Sequence, residues 1–257
     1  MSSLNVLSAN VRKVGIEMLR YLPNTISEII TFYASFLLFF LGIRVIGGVQ
    51  TTGGSSEYLI VSIVLWVLAL TAMQGIGWEI TNEATRGTLE QLYMSPVGTW
   101  KILLSRMTGR VVVEFGIILI VLVLNMLTAG VWLTFDLLTL APLLVLTVVC
   151  MLGVGFMVAG LALVFKQIQA LLQIAQFVFF ALVAVPVSLS PWLEALPVVR
   201  GSTMIRAAMT EGVTLVEFSS LDWALLVANT VFYFALGIFL YRLAERRAMN
   251  KGLLGQY

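Results

Sequence analysis

The sequence predicts an all-α protein that crosses a membrane several times, and two observations carry this prediction. The chain has 257 residues, of which 60% are hydrophobic and 11% charged, whereas a soluble domain carries about a quarter charged residues. Apolar runs of about 20 residues, the length needed to cross a bilayer, recur along the chain. A mean hydropathy of +1.02 agrees with this composition. The sequence has no succession of short alternating segments, which a transmembrane β-barrel would need.

Six membrane spans are predicted, and they form one transmembrane domain over residues 1–257. With both termini placed in the cytoplasm, all fifteen Lys and Arg residues lie on the inner side except Arg44, Arg200 and Arg206. Basic residues concentrate in the short cytoplasmic loops of membrane proteins, so this orientation is the expected one. The predicted spans cover about 26–46, 58–77, 109–130, 138–165, 169–190 and 223–241.

Residues 4–22 precede the first span and are amphipathic, with aliphatic and charged side chains on opposite sides of a helix. Such a helix lies in the plane of the membrane interface and forms an elbow before the first span. Pro23-Asn24 should end it, and Thr25-Ile26-Ser27-Glu28 has the pattern of a capping box, which assigns Glu28 as a capping residue. The aliphatic side chains are Val11, Val14, Met18, Leu19 and Leu22, and the charged ones are Arg12, Lys13, Glu17 and Arg20.

A charged, amphipathic segment at 79–97 separates the second and third spans. Thr88-Leu89-Glu90-Gln91 has the pattern of a second capping box, which predicts a short helix, and Gly87 breaks the turn that precedes it. Ser95-Pro96 should end this helix, and Thr99 can cap the next one, which continues into the third span.

The predicted short helix has an apolar face formed by Leu89, Leu92 and Tyr93. This face is expected to be exposed, and an exposed apolar face on a short capped helix suits docking into a groove on another protein. The alternative is an ordinary amphipathic connector that lies on lipid headgroups.

Between the last two spans, residues 191–217 are too apolar for a simple loop and too short to cross the membrane. Two apolar pieces, Pro191–Pro197 and Thr203–Met209, are separated by Gly201. They predict a pair of re-entrant or interfacial helices on the outer side.

Ionisable side chains inside the predicted spans are candidates for a translocation path, because burying a charge in lipid is costly. Glu114 lies one turn after Arg110. Either the two form an ion pair near the cytoplasmic interface, or Glu114 lines an inner vestibule and contacts a cationic or polar substrate.

Three amides of the fifth span, Gln169, Gln173 and Gln176, follow Lys166 and lie on one stripe of a helix. This stripe either forms hydrogen bonds to other helices or lines the translocation path. The single amides Gln74 and Asn125 are expected to form interhelical hydrogen bonds. The small-residue spacing of Gly155 and Ala159 is a weak indication of close helix packing.

Several kinds of chemistry are disfavoured by the composition. The chain has no histidine and one cysteine, Cys150, so metal sites, disulfides and Cys/His or Ser/His catalysis are not expected. A membrane-embedded enzyme is further disfavoured because no Gly-x-Ser-x-Gly elbow and no aspartate within a span are present. No Gly-x-x-x-x-Gly-Lys-Ser/Thr motif is present, so ATP hydrolysis and any cofactor are not expected in this chain. A nucleic-acid partner is not expected either.

The loop sequence resembles the cytoplasmic loop of type-2 ATP-binding-cassette (ABC) permeases, the membrane subunits of many export systems. The elbow helix and the outer helix pair, with its Pro191-Trp192, are also similar to that family. One departure is Val199-Arg200-Gly201-Ser202, which stands where an Asn-Pro often precedes the second short helix. The residues that carry the loop resemblance are Arg86-Gly87-Thr88-Leu89-Glu90-Gln91-Leu92 followed by Ser95-Pro96-Val97.

The resemblance implies a multi-pass permease of the cytoplasmic (inner) membrane that moves a hydrophobic or amphipathic cargo outward by alternating access. It implies a separate ATP-binding subunit that holds ATP and Mg, and a second permease copy or a paralogue. The alternative is a passive channel or membrane scaffold without an ATPase partner. By the same resemblance, the residues that couple to the ATPase subunit are Glu83, Arg86, Gly87, Thr88, Leu89, Glu90, Leu92 and Tyr93.

Overall fold

The computed structural model describes residues 3–46, 53–95, 98–165, 168–184 and 190–250, and every regular element in them is helical. The all-α prediction is therefore confirmed. The helices are α1 (Ser3–Arg20), α2 (Leu22–Ile46), α3 (Gly53–Thr85), α4 (Leu89–Tyr93), α5 (Thr99–Ala129), α6 (Leu137–Phe165), α7 (Gln169–Ala184), α8 (Val199–Arg206) and α9 (Ser220–Asn250).

Five of the described helices are long and apolar enough to cross a membrane, which confirms a polytopic membrane protein. They are α2, α3, α5, α6 and α9. The fifth predicted span, 169–190, begins where α7 begins, but the described helix has 16 residues and 185–189 lie outside the described residues. A total of six spans therefore stays a prediction.

Helix α3 lies at the centre of the bundle, with 78% of its apolar window buried. It packs against α2, α5, α6 and α7. Its approach to α6 is close because Gly155 has no side chain: a Cβ there would lie 2.7 Å from the Ala72 carbonyl oxygen. The small-residue spacing at Gly155 thus corresponds to close packing.

The tightest helix pair is α6 with α9, and glycine makes it possible. A Cβ on Gly153 would lie 2.4 Å from the Tyr233 carbonyl oxygen, and one on Gly237 would lie 2.0 Å from the Gly153 carbonyl oxygen. No side chain fits at such distances, so the two backbones touch directly. Their contact holds α9, the last helix in the described residues, against the core.

The capping box predicted at Thr25 is wrong. Helix α2 begins at Leu22, so Thr25 and Glu28 lie inside it, and the Thr25 hydroxyl donates to the Met18 carbonyl oxygen at 3.2 Å. The helix starts early because Pro23 is tolerated in a first turn, where its missing N–H has no partner to lose. Glu28 therefore does not cap α2.

The elbow segment is a helix, α1, that packs along α5, where the Asn10 side-chain amide donates to Ser105 Oγ at 2.9 Å. Charged side chains such as Lys13 and Glu17 are exposed on it. Its position in the membrane interface stays a prediction.

The segment predicted as an outer helix pair contains a 3₁₀ turn, Pro191–Ala195, and α8, which continues as a π-helical turn over Ala207–Glu211. Val199-Arg200-Gly201-Ser202 forms the first turn of α8, so the second short helix begins four residues before the predicted Thr203. Arg200 connects α8 to the 3₁₀ turn and to α9, because its Nη1 lies 2.7 Å from Glu194 Oε2 and its Nη2 is paired with Asp222.

At the end of α8 the side chain of Arg206 is almost fully buried. It donates to the Val183 carbonyl oxygen at 2.5 Å and to Ser62 Oγ at 3.2 Å. Its guanidinium carbon lies 3.8 Å from the centre of the Tyr58 ring. A guanidinium over an aromatic face gains electrostatic attraction, so Arg206 ties α8 to α3.

Candidate functional site

The segment between the second and third long helices is built around one short helix. Helix α3 continues past the predicted span as far as Thr85, and Gly87 then turns the chain with a φ of 69° before α4. The break predicted at Gly87 is therefore confirmed. Pro96 and Val97 lie outside the described residues, and the N-cap of α5 is Gly98, with a φ of 78°, rather than the predicted Thr99.

Arg106 of α5 forms ion pairs with two carboxylates near the end of α3. Its Nη1 lies 2.6 Å from Glu79 Oε1 and 2.6 Å from Glu83 Oε1. The two carboxylates are one helical turn apart, so a single guanidinium reaches both. The three side chains keep between 16% and 26% exposure, and water therefore screens their attraction only in part.

The capping box predicted at Thr88 is also wrong. No side-chain cap is made at Thr88; its hydroxyl donates to the Glu83 carboxylate, and its oxygen also lies 3.3 Å from the Glu83 carbonyl oxygen. The hydroxyl makes a charge-assisted hydrogen bond to a carboxylate already held by Arg106, instead of accepting from a backbone N–H of α4. Thr88 thus fastens the start of α4 to the end of α3.

The expectation that Leu89 and Leu92 are exposed for docking is wrong. Leu89 is 2% exposed and Leu92 8%, and both belong to the hydrophobic core of the chain. A helix of five residues has too few internal hydrogen bonds to be stable alone. Its apolar face is therefore used to anchor α4 to its own bundle.

Tyr93 connects α4 to the last long helix. Its hydroxyl lies 3.0 Å from the hydroxyl of Tyr241 in α9. Tyr241 is fully buried, and its ring meets the edge of Phe156 in α6 with centroids 5.6 Å apart. Helix α4 is thereby joined to α3 through Thr88, and to α9 through Tyr93.

The side chains that remain exposed form what we call the outer face of α4: Arg86, Glu90, Gln91 and Met94. Met94 is 83% exposed. An exposed methionine among charged and amide groups is a common composition for protein docking surfaces, since its flexible side chain adapts to a groove. Sequence reasoning missed Met94, although its place four residues after Glu90 puts it on the face opposite the leucines.

The glutamine stripe of α7 faces outward from the single chain. Gln169 and Gln173 are exposed and Gln176 is half-buried. Lys166, which precedes the stripe, lies outside the described residues. Trp66 Nε1 donates at 3.0 Å to the Gln176 backbone carbonyl, not to its amide side chain. The stripe is thus available to water, cargo or another chain.

The two single amides, Gln74 and Asn125, differ in whether their side chains form hydrogen bonds. The Gln74 side chain donates to the Leu172 carbonyl oxygen at 3.4 Å, which is the interhelical hydrogen bond expected of it. Asn125 is fully buried, and neither of its amide atoms has a hydrogen-bond partner among the described residues. The expectation of an interhelical hydrogen bond is therefore wrong for Asn125.

Glu114 and Arg110 form the ion pair predicted as one of two alternatives, with Arg110 Nε 3.4 Å from Glu114 Oε1. Glu114 is 3% exposed, and its second oxygen, Oε2, has no hydrogen-bond partner among the described residues. The ion pair therefore satisfies half of this carboxylate.

The long apolar helices and the anchored helix α4 define a polytopic helical membrane protein with a segment held firmly between its second and third long helices. The chain matches the family model described as ABC-2 family transporter protein over residues 42–239, well over half its length, and it belongs to that family. It is therefore a membrane subunit of an ABC transporter. No curated protein matches the chain.

Proposed function

We propose that the chain is the permease subunit of an ATP-driven exporter, and that the outer face of α4 is where its ATP-binding subunit docks. The observation that supports this is the attachment of α4. The helix is joined to α3 through Thr88 and Glu83, to α5 through Arg106 on the same carboxylate, and to α9 through Tyr93, while its outer face is exposed.

This arrangement suits the transmission of movement. A displacement of α4 by a docked partner is carried to α5 by the Arg106 pairs and to α9 by the hydroxyl pair of Tyr93 and Tyr241. Rigid helices held by such contacts move together rather than bending at the loop. Glu83, Gly87, Thr88, Leu89, Leu92 and Tyr93 then position α4, and Arg86, Glu90 and Met94 contact the partner.

Membership of the family supports the remainder of the proposal. ATP and Mg are held by the separate ATP-binding subunit, the membrane is the cytoplasmic one, and both termini lie in the cytoplasm. The cycle is alternating access with outward transport of a hydrophobic or amphipathic cargo. Glu114, Gln169, Gln173 and Gln176 are the candidates for the translocation path.

A second permease copy, or a paralogue, completes the assembly. Helix α2 has only 11% of its apolar window buried inside the chain, and the exposed Gln169 and Gln173 of α7 are costly to leave in lipid. A second subunit facing these helices would cover the amides and enclose a path that one chain is too small to form.

The test changes Met94 rather than Leu92, because Leu92→Asp would place a charge in the core. The chain is co-expressed with its ATP-binding subunit, and copurification and ATPase activity in nanodiscs are measured for Met94→Asp. The matched control is Val216→Asp, an equally exposed apolar residue of the 191–217 segment, 88% exposed against 83%.

We expect Met94→Asp to lose the ATPase subunit or its transport-linked activity, while Val216→Asp keeps both. A wild-type chain that binds no ATP-binding subunit would overturn the proposal and leave a passive channel or scaffold. An unchanged complex and activity in Met94→Asp would reject the outer face of α4 as the docking surface.

A further inference from the structure

A cavity of about 360 Å³ lies between α1, the first turns of α2 and the neighbouring parts of α3 and α5. The cavity lies toward the end of the bundle where α3 ends, α4 follows and α5 begins. Its wall contains charged side chains from all four helices, together with the apolar side chains of Val14, Met18 and Met107. Its volume falls in the range of sites for small organic molecules.

The charges of the cavity wall do not balance. Four carboxylates line it, Glu17, Glu28, Glu79 and Glu114, against three cations, Lys13, Arg106 and Arg110. Each cation already has a carboxylate partner: Lys13 lies 3.8 Å from Glu17, Arg106 2.6 Å from Glu79, and Arg110 3.4 Å from Glu114.

Glu28 is the carboxylate left over, and among the described residues it has no cation within ion-pair distance. It lines the same cavity as Glu114. Glu28 lies in the second turn of α2 and Glu114 in the middle of α5, and among the described residues Arg110 is paired with Glu114 alone.

Glu114 provides the second, independent observation. Its side chain is buried, it lines the cavity, and its Oε2 atom has no partner among the described residues. A buried carboxylate oxygen without a donor is destabilising unless a ligand or a cation satisfies it. A positively charged hydrogen-bond donor would therefore satisfy both the unpaired oxygen and the excess negative charge.

We propose that this cavity binds the ammonium headgroup of an amphiphilic molecule between Glu28 and Glu114, with its apolar part against Val14, Met18 and Met107. An ammonium group supplies the positive charge that Glu28 lacks and an N–H donor for the second oxygen of Glu114. An anionic headgroup would be repelled by the net negative charge of the cavity wall, and a purely apolar molecule would leave that charge unbalanced. Use of the site for cargo rests on the transporter function proposed above, whereas binding itself does not.

The experiment uses the purified full chain in neutral maltoside micelles and a photoreactive tetradecylammonium carrying a diazirine on its alkyl chain. Labelled peptides are mapped for the wild type, Glu114→Gln, Glu28→Gln and the control Glu17→Gln. Glu17 lines the same cavity, but its side chain is 54% exposed and already paired with Lys13. All variants remove one negative charge with little change of shape, and monodispersity and helix content establish that each is folded.

We expect labelling of peptides from α1, α2 and α5, and about tenfold weaker labelling in Glu114→Gln and Glu28→Gln, as for loss of a partly buried charge partner. Glu28 is half-buried, so its variant keeps the test valid if Glu114→Gln fails to fold. Equal loss in Glu17→Gln would overturn the proposal, because it would reveal general charge attraction. Equal competition by an uncharged glycoside of the same chain length would overturn it as well.

Competition then distinguishes two sources of the ammonium group. Displacement by phosphatidylethanolamine, but not by phosphatidylglycerol, would identify a bilayer lipid, and displacement by unlabelled tetradecylammonium alone would identify a single-chain cationic amphiphile. Both results support the site. Because no ATP-binding subunit is present in this experiment, its failure is separate from any failure of the docking proposal.

Discussion

Removing Arg106 is the most direct test of how the segment around α4 is held. In Arg106→Met the alkyl part of the side chain is kept, and the two hydrogen bonds to Glu79 and Glu83 are lost. Hydrogen bonds to charged groups contribute about 1.5–3 kcal/mol each. Because the side chains keep 16–26% exposure, screening reduces the total, and we expect a loss of about 2–3 kcal/mol in the free energy of unfolding.

The loss should be visible as a lower melting temperature. For a chain of this size, 1 kcal/mol corresponds to about 2–4 °C, so Arg106→Met should melt about 4–12 °C below the wild type in nanodiscs. Arg247→Met is the control, since Arg247 is exposed on the last helix. It should melt within about 2 °C of the wild type, as exposed charges contribute little.

A double-mutant cycle decides whether the effect belongs to the ion pairs. In a Glu79→Gln/Glu83→Gln background the substitution Arg106→Met should cost much less than in the wild type, because the charged partners are already gone. An equal cost in both backgrounds would refute the reasoning, since the stability would then come from packing of the arginine side chain alone.

Two further predictions concern the attachment of α9. Tyr241→Phe removes the hydroxyl that contacts Tyr93, and it should destabilise the protein by about 1–2 kcal/mol. It should also uncouple transport from ATP hydrolysis, measured as transport per ATP in proteoliposomes. An unchanged ratio would contradict a route through α9. Gly153→Ala places a methyl group 2.4 Å from the Tyr233 carbonyl oxygen and should cost about 1–3 kcal/mol by overpacking. Gly116→Ala, with nothing within 4 Å of the new methyl group, should be neutral or slightly stabilising in the same melting experiment; equal effects of the two alanines would contradict the close approach of α6 and α9.

Much of the fold could be predicted from the sequence because it follows from local composition. Long apolar runs must be helices in a bilayer, where every backbone polar group needs an internal partner. Five of the six predicted spans correspond to described helices of spanning length, and the break at Gly87 was also predictable. These features depend on neighbouring residues alone.

The two capping boxes could not be decided in this way. Thr25 and Thr88 have the right neighbours for capping, but Pro23 allows α2 to begin earlier, and Glu83 takes the Thr88 hydroxyl. A cap competes with every other partner that the fold brings near it. The sequence pattern shows the local hydrogen-bond partner of a capping side chain, but not the partners that the fold brings near it.

Helical spacing correctly placed Leu89, Leu92 and Tyr93 on one face, but it did not reveal what that face contacts. A five-residue helix with two leucines fits a partner groove and its own bundle equally well, and the structure buries it in the bundle. The exposed docking candidate is consequently the opposite face, with Met94.

By itself the sequence determined that this protein is a helical, polytopic membrane protein, and it predicted that the basic residues concentrate on one side of the membrane. Only the tertiary structure decided which charges meet. Arg106 pairs with carboxylates 23 and 27 residues away, and Glu28 of α2 comes to share a cavity with Glu114 of α5. Such pairings depend on how whole helices pack, and helix packing is decided by the shape of many side chains at once.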